Sequence, residues 1–110
     1  MSDRVVEVNE ANWEAEVVRS DLPVLLDFGM PGCGPCVALD PVIEALAKHY
    51  EGRIKFVKLD TVESPALAQR FGIRGVPHLQ LMRGDERVAV LSPSARTRTR
   101  LVAELDGLLA

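Results

Sequence analysis

The sequence predicts an α/β domain built on a central mixed five-stranded sheet flanked by four helices. Three observations predict it. Short apolar runs with strand character alternate with stretches of helical periodicity, which implies parallel strands joined by right-handed crossovers. Two such runs near the C-terminus are separated by a turn short enough for a hairpin, which adds an antiparallel edge. The 110 residues, 47% of them hydrophobic, suffice for one domain to bury a core without a staple or a metal.

In chain order, Val5 to Val8 reads as a short strand. Asn9 is placed to cap a helix running to about Ser20, with Val8 and Trp13 as a hydrophobic staple and Trp13 and Val17 as an i, i+4 apolar pair. Val24 to Phe28 (VLLDF) is a nearly continuous apolar run suited to a strand buried on both faces, interrupted by Asp27. From about Pro35 to Tyr50, Leu39, Val42, Ile43, Leu46 and Tyr50 recur at helical spacing, and Gly52 suits a left-handed cap. Ile54 to Asp60 is the next strand. Ser64 as N-cap, Pro65 at the first helical position and Gly72 at the end mark a short third helix. His78 to Met82 and Val88 to Leu91 form the hairpin around Arg83 to Glu86. Leu101, Val102, Leu105, Leu108 and Leu109 share one face of a final helix starting near Ser94 or Ala95. No repeat or linker-like stretch appears, so residues 1–110 read as a single domain.

Charge narrows the function. The net charge is -3 with acids and bases interspersed, apart from Arg96, Arg98 and Arg100, which read as a solvated helix face; this speaks against a nucleic-acid surface. The N-terminus lacks a basic segment followed by an apolar run, and no apolar stretch approaches the ~20 residues of a membrane span. The expectation is a cytoplasmic protein with no membrane association. There, a close cysteine pair is more often catalytic or metal-binding than structural.

Both cysteines lie in FGMPGCGPC, with only Gly34 and Pro35 between them. Cys33 falls at the carboxyl end of a strand and the start of a helix, where open α/β sheets collect their active sites. Unpaired N–H groups and the dipole there favour thiolate over thiol, lowering the ordinary cysteine pKa of ~8.5 and making Cys33 the nucleophile. Cys36, one turn on and facing inward, is placed to attack a mixed disulfide on Cys33 and release the partner reduced. Pro35 keeps the pair close by restricting the backbone between. A metal site needs more donors than the chain offers near the pair, since its histidines are only His49 and His78; a site shared between two copies of the motif stays open.

Asp27, an acid in an apolar strand, must be paired or have a raised pKa, and it precedes the cysteines by one loop. It is the candidate general base that takes the proton of Cys36. Lys58, central in the next strand, is its candidate inward partner. Val76-Pro77 sits just before a strand, where a proline need not donate to the ladder and a trans bond is the default. Trp13 is expected in the core, His49 on the surface, and His78 as a hydrogen-bonded strand residue.

CGPC at Cys33 to Cys36, Asp27-Phe28, KLD at Lys58 to Asp60 and FGIRGVP from Phe71 to Pro77 together resemble the thioredoxin family over essentially the whole chain. The resemblance implies the thioredoxin fold and a protein-disulfide reductase that donates electrons to disulfide-containing target proteins, is recharged by thioredoxin reductase, works as a monomer and needs no cofactor beyond the Cys33-Cys36 pair. It also implies that Pro77 is cis and lies beside the cysteines, with the Val76 backbone pairing with an extended substrate. Gly32, Gly34, Pro35, Val76, Pro77 and Ser94 are then the substrate-binding surface.

Two departures stand out. The family usually carries tryptophans where this chain has Gly29 and Gly32, so Met30 is expected to fill the space of the first ring, and Pro31 to offset the freedom of the glycines. Ser94 stands where the family has a groove-lining glycine, and His78 replaces a small residue after the proline. These changes bear on partner choice more than on chemistry. They motivate one alternative, a specialised, isomerase-like or single-partner protein. The other alternative is a non-catalytic binding module of the same fold, which loss of Cys33 would favour, but both cysteines, Asp27 and Pro77 remain.

Overall fold

Every residue of Val24–Gly29 (β2) is buried, because the strand is paired along both edges: parallel to Lys55–Asp60 (β3) and antiparallel to His78–Arg83 (β4). The computed structural model describes residues 3–110. Val5–Val8 (β1) pairs parallel with β3, and Glu86–Val90 (β5) pairs antiparallel with β4, giving a five-stranded mixed sheet in the order β1-β3-β2-β4-β5. A π-helical segment, Glu14–Val18, and the helices Gly34–His49 (α1), Pro65–Arg70 (α2) and Arg98–Leu109 (α3) complete the chain.

Strand alternation divides the core. Leu25, Phe56, Leu79 and Leu81 face α1 and α3, where they meet Leu39, Ile43, Leu46, Leu101 and Leu105. Leu26, Phe28, Val57 and Leu59 face the other way, against Trp13, Val17 and Leu67. Tyr50 locks α3 down: its hydroxyl donates to Asp106 Oδ1 at 2.6 Å.

The expected order of elements is present, and the differences lie at their ends. The first helix is only Glu14–Val18. Asn9 does cap, but it caps the preceding turn, accepting the N–H groups of Ala11 and Asn12 while Asn12 Oδ1 accepts that of Asn9. Ser20 ends the segment early by bonding Leu22 through its own hydroxyl, a local turn that competes with a further helical turn. Ser64 occupies the N-cap of α2 without capping it; its hydroxyl is buried with no hydrogen-bond partner among the described residues, and Glu10 Oε2 accepts the Ala66 N–H instead. The last helix starts at Arg98, later than expected, because Thr97 supplies the capping oxygen for the Arg100 N–H while Ala95 is held in a turn on Ser92. Arg96 therefore precedes the helix, its Nε donating to Pro93. Arg83 and Glu86 pair with each other, leaving Gly84-Asp85 as the hairpin turn, with Gly84 at φ 59°. Gly52 and Gly72 close α1 and α2 with positive φ, as their positions require.

Candidate active site

Cys33 ends the loop that leaves β2 and is the N-cap of α1, with extended backbone (φ -88°, ψ 103°). Its Sγ accepts the backbone N–H of Cys36 at 3.2 Å. Cys33 and Cys36 are joined in a disulfide, with Cα atoms 5.3 Å apart. The two cysteines differ in access: Cys33 is partly exposed, whereas Cys36 is 5% exposed. Gly34 and Pro35, between them, lie on the surface as the first turn of α1, where the missing N–H of proline costs nothing.

The approach to Cys33 is a turn rather than a truncated aromatic platform. Gly32 has φ 76°, a conformation that residues with a Cβ rarely adopt, and Pro31 before it supplies the fixed φ of the preceding turn position. Gly29 is different. Its backbone is ordinary, its carbonyl accepts the Thr61 N–H and hydroxyl, and a Cβ built on it would lie 3.6 Å from Cys36 Cβ and Sγ, normal contact distance. Met30 does not fill the space beside it, contrary to expectation: it is 44% exposed. A pocket of about 250 Å³ remains there, lined among others by Gly29, Met30, Pro31, Cys36, Val37 and Leu59.

Asp27 is 3% exposed, so it does not point to solvent. It shares a face with Gly29, which abuts Cys36, and so lies one strand step behind the cysteine under α1. Burial pushes its pKa up to about 6; the charge of Lys58 opposes the rise and that of Asp40 adds to it. Lys58 stands directly across from Asp27 in the β2–β3 register, yet its ion pair is made elsewhere. Its Nζ lies 2.7 Å from Asp40 Oδ1 on α1. The long stem of Lys58 carries the ammonium to a half-exposed carboxylate, where water still solvates both charges, rather than to a buried one, where desolvation would be severe. Burial works against the charge on Lys58, but the Asp40 hydrogen bond and the charges of Asp40, Asp27 and Glu7 outweigh it and hold its pKa above the ordinary value.

The Val76–Pro77 bond is cis. The register pair Phe28↔His78 puts Pro77 one step further along, next to Gly29 and the end of β2 from which the cysteine loop departs. The loop containing Ser94 reaches the same end: Pro93, Ala95 and Arg96 share a small cavity of about 40 Å³ with Pro77 and His78, while Ser94 itself is exposed. His78 is held by Gln80, with Nε2 3.0 Å from Oε1, and its ring meets Phe28 edge to face. Trp13 is in the core and His49 is on the surface. Among the described residues, no group of three or more His, Cys, Asp or Glu side chains is arranged to hold a metal ion, and no helix is long and apolar enough to cross a membrane.

The thioredoxin family model matches residues 4–107. The chain belongs to the thioredoxin family. Among its relatives, a thioredoxin of Synechocystis sp. is 40% identical over 103 residues, which is 94% of this chain and 95% of that protein. A thioredoxin of Porphyra purpurea is 45% identical over 84 residues, 76% of this chain and 78% of that one. A chloroplastic M-type thioredoxin of Brassica napus is 38% identical over 103 residues, 93% of this chain but only 57% of that longer protein. Membership and the close cysteine pair make this chain a protein-disulfide oxidoreductase of thioredoxin type.

Sequence reasoning missed Asp40. The signal was present: it lies four residues after Cys36, one helical turn along the stripe that Leu39 and Ile43 bury, and an acid at such a place faces the sheet.

Proposed function

We propose that this thioredoxin-family chain is a general protein-disulfide reductase, cycling between dithiol and disulfide at Cys33-Gly34-Pro35-Cys36. In the reduced state the Cys33 thiolate attacks one sulfur of a target disulfide, forming a mixed disulfide and expelling the other target sulfur as a thiolate. Asp27 accepts the proton of Cys36. The Cys36 thiolate then attacks Cys33, the Cys33-Cys36 disulfide forms, and the target leaves fully reduced. Two electrons pass from the protein to its target, and thioredoxin reductase returns them. The observation that carries this reading is Cys33, a partly exposed residue at the mouth of α1 with a backbone N–H on its sulfur, beside the buried Cys36. A helix-start amide of this kind stabilises the anionic nucleophile.

Gly32, Gly34, Pro35, Val76, Pro77 and Ser94 form the docking face in this reading, on a monomer working in the cytoplasm, where reducing conditions keep the dithiol available. The chloroplastic names among the relatives make location a point to test by fractionation. One observation favours a second reading, a protein dedicated to few partners: the left-handed turn at Gly32 and the open pocket beside Gly29 reshape the approach to Cys33.

Insulin disulfide reduction with two electron sources separates the readings. Turnover with both dithiothreitol and thioredoxin reductase is the expected result. Turnover with dithiothreitol alone favours the dedicated protein, and none with either leaves a binding module and overturns the proposal.

A further inference from the structure

One lysine serves a row of carboxylates beneath α1. Glu7 on β1, Lys58 on β3 and Asp27 on β2 are consecutive register partners across the sheet, and alternation turns all of them to the α1 side. From α1, Cys36, Asp40 and Glu44 sit over the row, with Asp40 and Glu44 meeting Glu7 and Lys58 at a shared pocket. From β4, the register partner of Asp27 is the apolar Leu79. Among the described residues, the cation whose charge acts on Asp27 is Lys58, and its ammonium is 2.7 Å from a different carboxylate. Among the described residues, no hydrogen bond or ion pair is made to the Asp27 side chain.

We infer that Asp40 is a positioning residue: by holding the Lys58 ammonium on α1 it keeps that charge off the Asp27 carboxyl and so sets the pH at which Asp27 takes up and releases a proton. Both effects of Asp40 act in the same direction. It withdraws a neutralising charge from Asp27, and its own negative charge opposes a second one nearby. Burial is the larger cause of the raised Asp27 midpoint, and Asp40 adds to it, which brings the acid nearer the range where it can exchange a proton with a thiol in both directions. The link to turnover rests on the reading of Asp27 as the proton acceptor of Cys36; the link between Asp40 and Asp27 does not.

The test is a carbon-13 NMR titration of the Asp27 carboxyl in the full chain, oxidised so that no thiol titrates. Asp40→Ala, and Asp40→Asn if the alanine variant folds poorly, should lower the Asp27 midpoint by about one pH unit, as expected when a cation moves to within ~4–6 Å of a carboxylate. Asp40→Glu should restore the original midpoint, and Lys58→Met should raise it. In the Lys58→Met background, removing Asp40 should move the midpoint by less than half as much, because the lysine that relays most of the effect is gone. An unchanged or raised midpoint in Asp40→Ala and Asp40→Asn overturns the inference. So does a shift of equal size with and without Lys58, which would mean direct repulsion rather than positioning. A merely structural Asp40 would alter thermal stability and leave the midpoint in place. The acid limb of insulin reduction should move with the midpoint; if the midpoint moves and that limb does not, Asp40 still governs Asp27, and it is the part of Asp27 in resolution that fails.

Discussion

The backbone N–H of Cys36 points at the sulfur of Cys33 across 3.2 Å, so the residue assigned to finish the exchange also holds the one assigned to start it. This amide is one of those left unpaired at a helix start, and it is anchored to the buried part of the pair.

Cys33→Ser should therefore abolish insulin reduction, while Cys36→Ser should accumulate a mixed disulfide with the target, visible as an adduct by intact mass spectrometry. Full activity in Cys33→Ser would reverse the roles.

Asp27 supplies a pH signature of stability. Its native pKa of about 6 lies above the ordinary value of 3.8, so between those limits the folded chain holds a proton that the unfolded chain has lost. Stability from this residue is therefore highest below about pH 4 and falls as pH rises through 6, after which the loss is complete. Asp27→Ala should raise stability at pH 8 by roughly 2 to 3 kcal/mol in urea denaturation of the oxidised protein, and remove that decline. It should also slow release of the target near neutral pH; a variant with unaltered release from pH 6 to 8 would end the proton-acceptor assignment.

Gly29 and Gly32 should respond in opposite ways to the same change. Gly29→Ala places its methyl at contact distance from Cys36 in an ordinary strand conformation, and should stabilise by about 0.5 to 1 kcal/mol. Gly32→Ala forces a Cβ into positive φ and should cost about 1 kcal/mol. Thermal denaturation of the pair checks both signs, and equal effects would mean that the turn at Pro31-Gly32 is not as described.

Tyr50→Phe removes the hydrogen bonds that tie α1 to α3, to Asp106 Oδ1 and the Val102 carbonyl. Because Asp106 is exposed and regains water, the loss should be only about 1 kcal/mol, with insulin turnover unchanged.

The strands and the cysteine helix were legible because their signals are local: VLLDF is apolar throughout, and Leu39, Ile43 and Leu46 recur along one helical face. Helix ends were less so. The end of the first helix depends on the Ser20 hydroxyl choosing Leu22, and the first turn of α2 is satisfied by Glu10, more than fifty residues upstream in the chain. The first is a close competition between a local turn and a further helical turn, and the second is beyond the reach of local propensity.

The sequence by itself determined the chemistry: two sulfurs separated by two residues at a strand-to-helix junction, an acid in the strand before them, and a lysine in the strand after. Tertiary structure decided the electrostatics, because which carboxylate takes Lys58 depends on α1 lying across the sheet and on how much water reaches each acid. It also decided that Met30 turns outward and leaves a pocket beside Cys36. Covalent spacing and periodicity are written along the chain, whereas desolvation and charge competition exist only once distant segments are packed together.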